Sequence, residues 1–274
     1  MGAFIRLASN YDMNVFETVF YRNAAALVCL LPWFFRAGGM KVIRTSRMKV
    51  YVLRAVLGLV AMCLWFYSLM KIPLADATAL SFTAPFFTAV MAVFLFKEKL
   101  NKHRIIALFV GLAGVVIVLR PGTEMFQPEA MAAVVAAILW SGSGVMIKTL
   151  TATDRPRVVV FYMVLMMTPL SLLPAIPYLK MPDGYMLLII LALGFTSNLF
   201  QISLSNAFAA TEVNVILPYD FMRLVFISVI SYLAFGERLD IWTFAGGSII
   251  LFGAIYFSYL ESRHRKKIQQ SEQK

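Results

Sequence analysis

The sequence predicts an all-α integral membrane protein of ten helices, arranged as two inverted five-helix repeats with the first helix truncated. Three observations predict it. The 274 residues are 61% hydrophobic and only 14% charged, with a mean hydropathy of +0.79, whereas a soluble domain carries more charge and shorter apolar runs. Apolar stretches of about 20 residues, the length that crosses the hydrocarbon layer, recur along the chain. The second half also repeats the first.

The repeat is read from paired segments. Gly2-Ala3-Phe4-Ile5-Arg6 returns as Gly144-Val145-Met146-Ile147-Lys148, and Phe20-Tyr21 with Leu30-Leu31-Pro32 returns as Phe161-Tyr162 with Leu172-Leu173-Pro174. Gly58 falls on Gly194, Ala75-Asp76-Ala77 on Thr211-Glu212-Val213, and Gly114 on Gly253. Phe96-Lys97-Glu98-Lys99-Leu100 becomes Phe235-Gly236-Glu237-Arg238-Leu239. The offset drifts between 136 and 142, as loop insertions produce. Each unit is half a protein, too long for a solenoid repeat. An odd number of spans per unit turns the second copy upside down, an arrangement common among membrane transporters. The halves are residues 1–121 and 122–260, followed by a basic tail at 261–274.

Nine full spans and a stub follow in order. The stub is residues 1–8. Its counterpart, the span at 129–148, places the missing first dozen residues before Met1, by a true start inside the helix or a start codon assigned too late. It lacks the apolar core and cleavage site of a signal peptide. The 15–35 span carries Glu17 and Arg22 at membrane depth, where a charge costs roughly 2.5–3.5 kcal/mol on insertion scales and needs a role. They either line a substrate path or carry a coupling proton, or they are internal charges that fix helix packing. Arg22 suits an inter-helix hydrogen-bond hub.

The 50–70 span presents the aromatic faces of Trp65 and Tyr67. The 75–96 span holds Ser81 and, midway, Pro85, which removes a helix hydrogen bond and kinks the chain. Ala107, Gly111 and Gly114 in the 104–119 span suit close packing, as do Gly246, Gly247 and Gly253 in the 241–260 span. These helices pack on each other or on a second copy of the chain, so a homodimer is allowed. Trp140 in the 129–148 span sits beside Ser141-Gly142-Ser143-Gly144, where small residues leave room for a ligand. The 157–179 span, the second helix of the second repeat, follows the 149–156 loop. In the 185–207 span Asn198, Gln201 and Ser205 recur at i, i+3 and i+7, one helix face. Such a stripe must turn toward protein or a water-filled cavity. The 213–235 span carries Pro218, Tyr219, Asp220 and Arg223, the last two sharing a face. Pro218 and Pro85 interrupt helices in corresponding places of the two repeats, a pointer to a central binding site.

Charge sets topology. Most of the 25 basic residues fall on segments that alternate onto one side, and only Lys71, Arg120, Lys180 and Arg238 on the other. This positive-inside bias puts the 36–49 loop and the C-terminal tail in the cytoplasm. The formal charge of +11 is thereby explained without nucleic acid. Cys29 and Cys63 make no CxxC, and His103 and His264 lie in basic flanks. No Walker motif, nucleotide fingerprint, metal-ligand set or nucleophile–base pair is present, so no cofactor, metal or catalytic residue is expected and an enzyme is disfavoured.

Phe20-Tyr21-Arg22, Ala75-Asp76-Ala77-Thr78 with Thr83-Ala84-Pro85, Phe96-Lys97-Glu98-Lys99-Leu100, and Tyr219-Asp220-Phe221-Met222-Arg223-Leu224 leading to Phe235-Gly236-Glu237-Arg238-Leu239 together resemble the drug/metabolite transporter superfamily (DMT), in its EamA-type branch. The likeness covers essentially the whole chain, and the 218–237 run looks most like members assigned to S-adenosylmethionine or riboflavin uptake. The resemblance implies a ten-helix secondary carrier of the bacterial inner membrane, its partners a small-molecule metabolite and the lipid bilayer. Substrate binding would involve Trp65, Tyr67, Ser81, Trp140, Asn198, Gln201, Tyr219, Asp220 and Arg223, with Asp220 the candidate for proton coupling. An exporter of amino acids or drugs with the same fold, and a non-transporting membrane subunit, are the rival readings.

Overall fold

The computed structural model describes residues 1–37, 39, 45, 47–81, 83, 84, 87, 91, 102–120, 127–210, 222–236 and 240–272. Ten α-helices are described: α1 Gly2–Asn10, α2 Val15–Arg36, α3 Met48–Lys71, α4 Leu74–Ser81, α5 Lys102–Leu119, α6 Ala130–Thr151, α7 Pro156–Ala175, α8 Gly184–Ala210, α9 Met222–Phe235 and α10 Ile241–Glu272. Among the described residues there is no strand. Among the described residues, five stretches are long and apolar enough to cross a membrane: Val15–Arg36, Met48–Lys71, Ala130–Thr151, Pro156–Tyr178 and Gly184–Ala207. The protein is a multi-pass, all-helical membrane protein.

Local chemistry sets the helix ends. The Asn14 side chain accepts the Phe16 amide at 3.0 Å while Glu17 Oε2 accepts the Asn14 amide at 3.4 Å, a reciprocal cap that starts α2. Pro156 opens α7 at a position where its missing N–H is harmless, and α7 runs to Ala175 before a 3-10 turn at Ile176–Tyr178 that contains Pro177. The 261–274 tail is expected to fray into solvent or to rest on anionic headgroups, and α10 is helical through it to Glu272. Residues 261–272 contain no Gly or Pro and are rich in Arg, Lys, Gln and Glu, which favour helix without any packing.

The chain divides into two compact units, Met1–Lys71 with Gly142–Ala210, and Ile72–Ser141 with Thr211–Lys274. Each therefore draws helices from both halves of the sequence. In the first unit α2 packs against α7 and α8. The approach of α2 to α8 depends on Gly194, where an added Cβ would lie 2.6 Å from Ala25 Cβ and 2.7 Å from the Ala26 nitrogen. In the second unit α5 and α10 meet glycine to glycine. A Cβ on Gly114 would lie 2.8 Å from the Gly246 carbonyl oxygen, and one on Gly246 would lie 2.7 Å from that of Gly114. Polar contacts hold the same unit, as Thr243 Oγ1 donates to Asp76 Oδ1 at 2.6 Å and Arg120 pairs with Asp240.

Candidate functional site

Among its described residues the first unit buries three charged side chains, Arg22 at 1%, Glu17 at 2% and Arg54 at 1% exposure. A buried ion needs partners, and each finds them differently. Arg22 Nε donates to Ser197 Oγ on α8 at 3.0 Å, and its Nη1 donates to Asn23 Oδ1 at 2.7 Å. Asn23 Nδ2 passes the connection to Ser171 on α7 at 3.4 Å. One guanidinium thus ties α2 to α8 and, through Asn23, to α7. Glu17 Oε1 accepts the Lys180 amide at 2.9 Å, while the Tyr21 hydroxyl donates to the Lys180 carbonyl at 2.6 Å. The Lys180 peptide is therefore clamped to the first turns of α2 on both sides.

Next to Ser197 in the chain, Asn198 Nδ2 donates to the Ala26 carbonyl at 2.7 Å. Its Oδ1, together with Gln201 Oε1 and Ser205 Oγ, is buried with no partner among the described residues. The three lie on one face of α8. Each unpaired oxygen costs about 1–3 kcal/mol until a donor meets it. A solute or waters bearing N–H or O–H groups would meet it.

A cleft of about 1100 Å³ opens elsewhere in the first unit, where the α1–α2 turn and the 174–180 segment face the last turns of α3. Glu17 and Tyr67 both line it, with Asp12, Cys63, Lys71, Tyr178 and Lys180. Phe16 and Tyr178 stack at its rim with ring centroids 6.2 Å apart. Of the residues singled out in the sequence, Glu17 and Tyr67 are thus brought into one cleft, and Arg22 stands beside Asn198 and Gln201 through Ser197. Trp65, 7% exposed, packs within the first unit. Ser81 donates to the Thr78 carbonyl at 2.7 Å, and Ser81 and Trp140 belong to the second unit. Tyr219, Asp220, Pro85 and Pro218 lie outside the described residues, as does the side chain of Arg223.

Sequence reasoning missed a polar cluster at the other end of α3. Asp154 Oδ2 accepts from the Tyr51 hydroxyl at 2.6 Å and from Thr45 Oγ1 at 2.9 Å. The Tyr51 and Tyr162 rings pack with centroids 4.6 Å apart. Behind them Arg54 Nη1 donates to the Val159 carbonyl at 3.1 Å. Arg54 reads as a basic flank of α3, yet it sits more than a turn inside the helix. That depth was the available signal.

Comparison with known proteins decides the family. The model of the EamA-like transporter family matches residues 1–120 and again 127–259. The chain belongs to the EamA-like transporter family. A Rickettsia felis "S-adenosylmethionine uptake transporter" is 30% identical over 260 residues, covering 95% of this chain and 88% of the relative. A Vibrio cholerae "Riboflavin transporter" is 27% identical, covering 89% of this chain and 83% of the relative. One solved crystal structure is similar across 96% of both chains with a TM-score of 0.67 and 20% identity, and shows the fold. This EamA protein is therefore a membrane transporter for small metabolites, of the DMT fold.

Proposed function

We propose that this EamA protein is a secondary carrier of the cytoplasmic membrane that takes up a small amphipathic metabolite by alternating access. S-adenosylmethionine or riboflavin is the candidate cargo. The two repeats, 1–121 and 122–260, act as the inverted halves of the carrier, with the 36–49 loop and the tail in the cytoplasm. The observation that carries the reading is the set of three buried, unpartnered oxygens on α8. In the membrane interior such groups are retained where a polar solute or water meets them. The names borne by the Rickettsia and Vibrio relatives support the cargo class.

Asn198 and Gln201 accept hydrogen bonds from the cargo in this reading, and Asp220 carries the coupling proton. Gln201→Leu keeps the bulk of the side chain and removes the acceptor, and one lost hydrogen bond of about 1.4 kcal/mol weakens binding roughly tenfold. Uptake of labelled S-adenosylmethionine and of riboflavin into proteoliposomes with an imposed proton gradient tests both roles. Gln201→Leu should raise the half-saturating concentration, and Asp220→Asn should abolish gradient-driven uptake while leaving exchange. Unchanged uptake by Gln201→Leu, or loss of exchange in Asp220→Asn, would contradict the assigned roles.

A further inference from the structure

From the chemistry of the cleft in the first unit we infer a second solute site, one that recognises a zwitterion carrying a flat ring. The inference rests on the carrier reading and narrows its cargo. Asp12, Lys71 and Lys180 line the cleft, and none of the three has an ion-pair partner among the described residues. Opposite charges thus stand around one mouth without neutralising each other. The Glu17 carboxylate adds negative potential, since both its oxygens are taken by backbone amides and it has no ion pair among the described residues. The Lys180 backbone is held at both its N–H and its C=O, so the root of its side chain is fixed at the rim.

Below the rim the wall becomes apolar, along Leu59, Val60, Cys63, Leu64 and Tyr67 of α3. From Leu59 to Lys71 the helix rises about 18 Å. The volume of about 1100 Å³ stands at the upper end of small-molecule sites. An amino-acid group would place its carboxylate between Lys71 and Lys180 and its ammonium toward Asp12. A ring attached to it would lie along the α3 wall beside Tyr67. A neutral flavin leaves all three charges unmet, so the cleft selects S-adenosylmethionine over riboflavin.

Cys63 reports on the cleft directly, because Cys29 and Cys63 are the two cysteines of the chain and Cys63 lines the wall. In a Cys29→Ser background, alkylation of Cys63 by a small maleimide is followed in detergent and in phosphatidylethanolamine nanodiscs. S-adenosylmethionine should slow labelling several-fold, and riboflavin at equal concentration should not. Lys71→Gln, Lys180→Gln and Asp12→Asn should each raise the half-protecting concentration about tenfold, the worth of one charge-assisted contact. Asn is tolerated at residue 12, whose φ is +55°.

Equal protection by riboflavin, no shift in the variants, or an unlabelled Cys63 would overturn the site. Protection in nanodiscs without solute that vanishes in detergent would assign the cleft to a lipid instead. Cleft protection without transport would refute the carrier reading and leave the site, whereas transport without protection would do the reverse.

Discussion

Replacing Gly194 by alanine tests the packing on which the buried network depends. The added methyl would sit 2.6 Å from Ala25 Cβ, 2.7 Å from the Ala26 nitrogen and 2.8 Å from the Ala25 carbonyl carbon. Two of those atoms are backbone and cannot rotate away, so α2 and α8 must part by roughly an ångström to restore ordinary contact. Overpacking of this kind costs about 1–3 kcal/mol. The separation also strains two bonds that cross the same gap, Arg22 to Ser197 at 3.0 Å and Asn198 to Ala26 at 2.7 Å, each worth about 0.5–1.5 kcal/mol. Alanine returns up to about 1 kcal/mol of helix propensity. The net expectation is a loss of about 1–4 kcal/mol. Gly144→Ala is the matched control. Nothing lies within 4 Å of a Cβ there, so only the propensity gain of about 0.5–1 kcal/mol remains. Thermal unfolding of both variants in the same detergent reads the difference, at about 2–4 °C per kcal/mol. A Gly194→Ala protein as stable as Gly144→Ala would refute the close approach of α2 and α8.

Three further substitutions probe the clamps at the ends of the first unit. Tyr51→Phe removes the 2.6 Å bond to Asp154, a charged acceptor worth about 1.5–3 kcal/mol when buried and less at this partly buried site. Amide exchange of residues 151–155 should accelerate, and unchanged exchange would count against the cluster. Tyr21→Phe removes the 2.6 Å bond to the Lys180 carbonyl and leaves the Glu17 contact to the Lys180 amide in place. Proteolysis of the 176–183 segment should quicken several-fold, and further in Glu17→Gln. Equal rates in all three proteins would show that the clamp does not order the segment.

Spans and candidate polar groups were legible because burial leaves a mark on sequence. Long apolar runs gave α2, α3, α6, α7 and α8 to within a few residues, and the spacing of Asn198, Gln201 and Ser205 placed them on one face. Partners were not legible. Arg22 meets Ser197 across 175 positions and Glu17 meets Lys180 across 163, and periodicity says that a side chain turns inward without saying what it meets. Arg54 was hidden by its neighbours: a basic residue near Arg47 and Lys49 reads as a flank, although the helix already begins at Met48. The mixed units were hidden too. A repeat in sequence marks equivalent helices, whereas compactness follows which helices touch, and α2 touches α7 and α8 from the other repeat.

The most direct test of the carrier assignment is counterflow. Purified protein in liposomes preloaded with unlabelled S-adenosylmethionine or riboflavin would be diluted into a trace of the labelled compound, with no imposed gradient. Transient accumulation of label above that in protein-free liposomes is the expected result, and it names the cargo by which compound produces it. A protein shown to be folded and reconstituted that yields no accumulation with either compound would contradict the assignment of these solutes to the carrier.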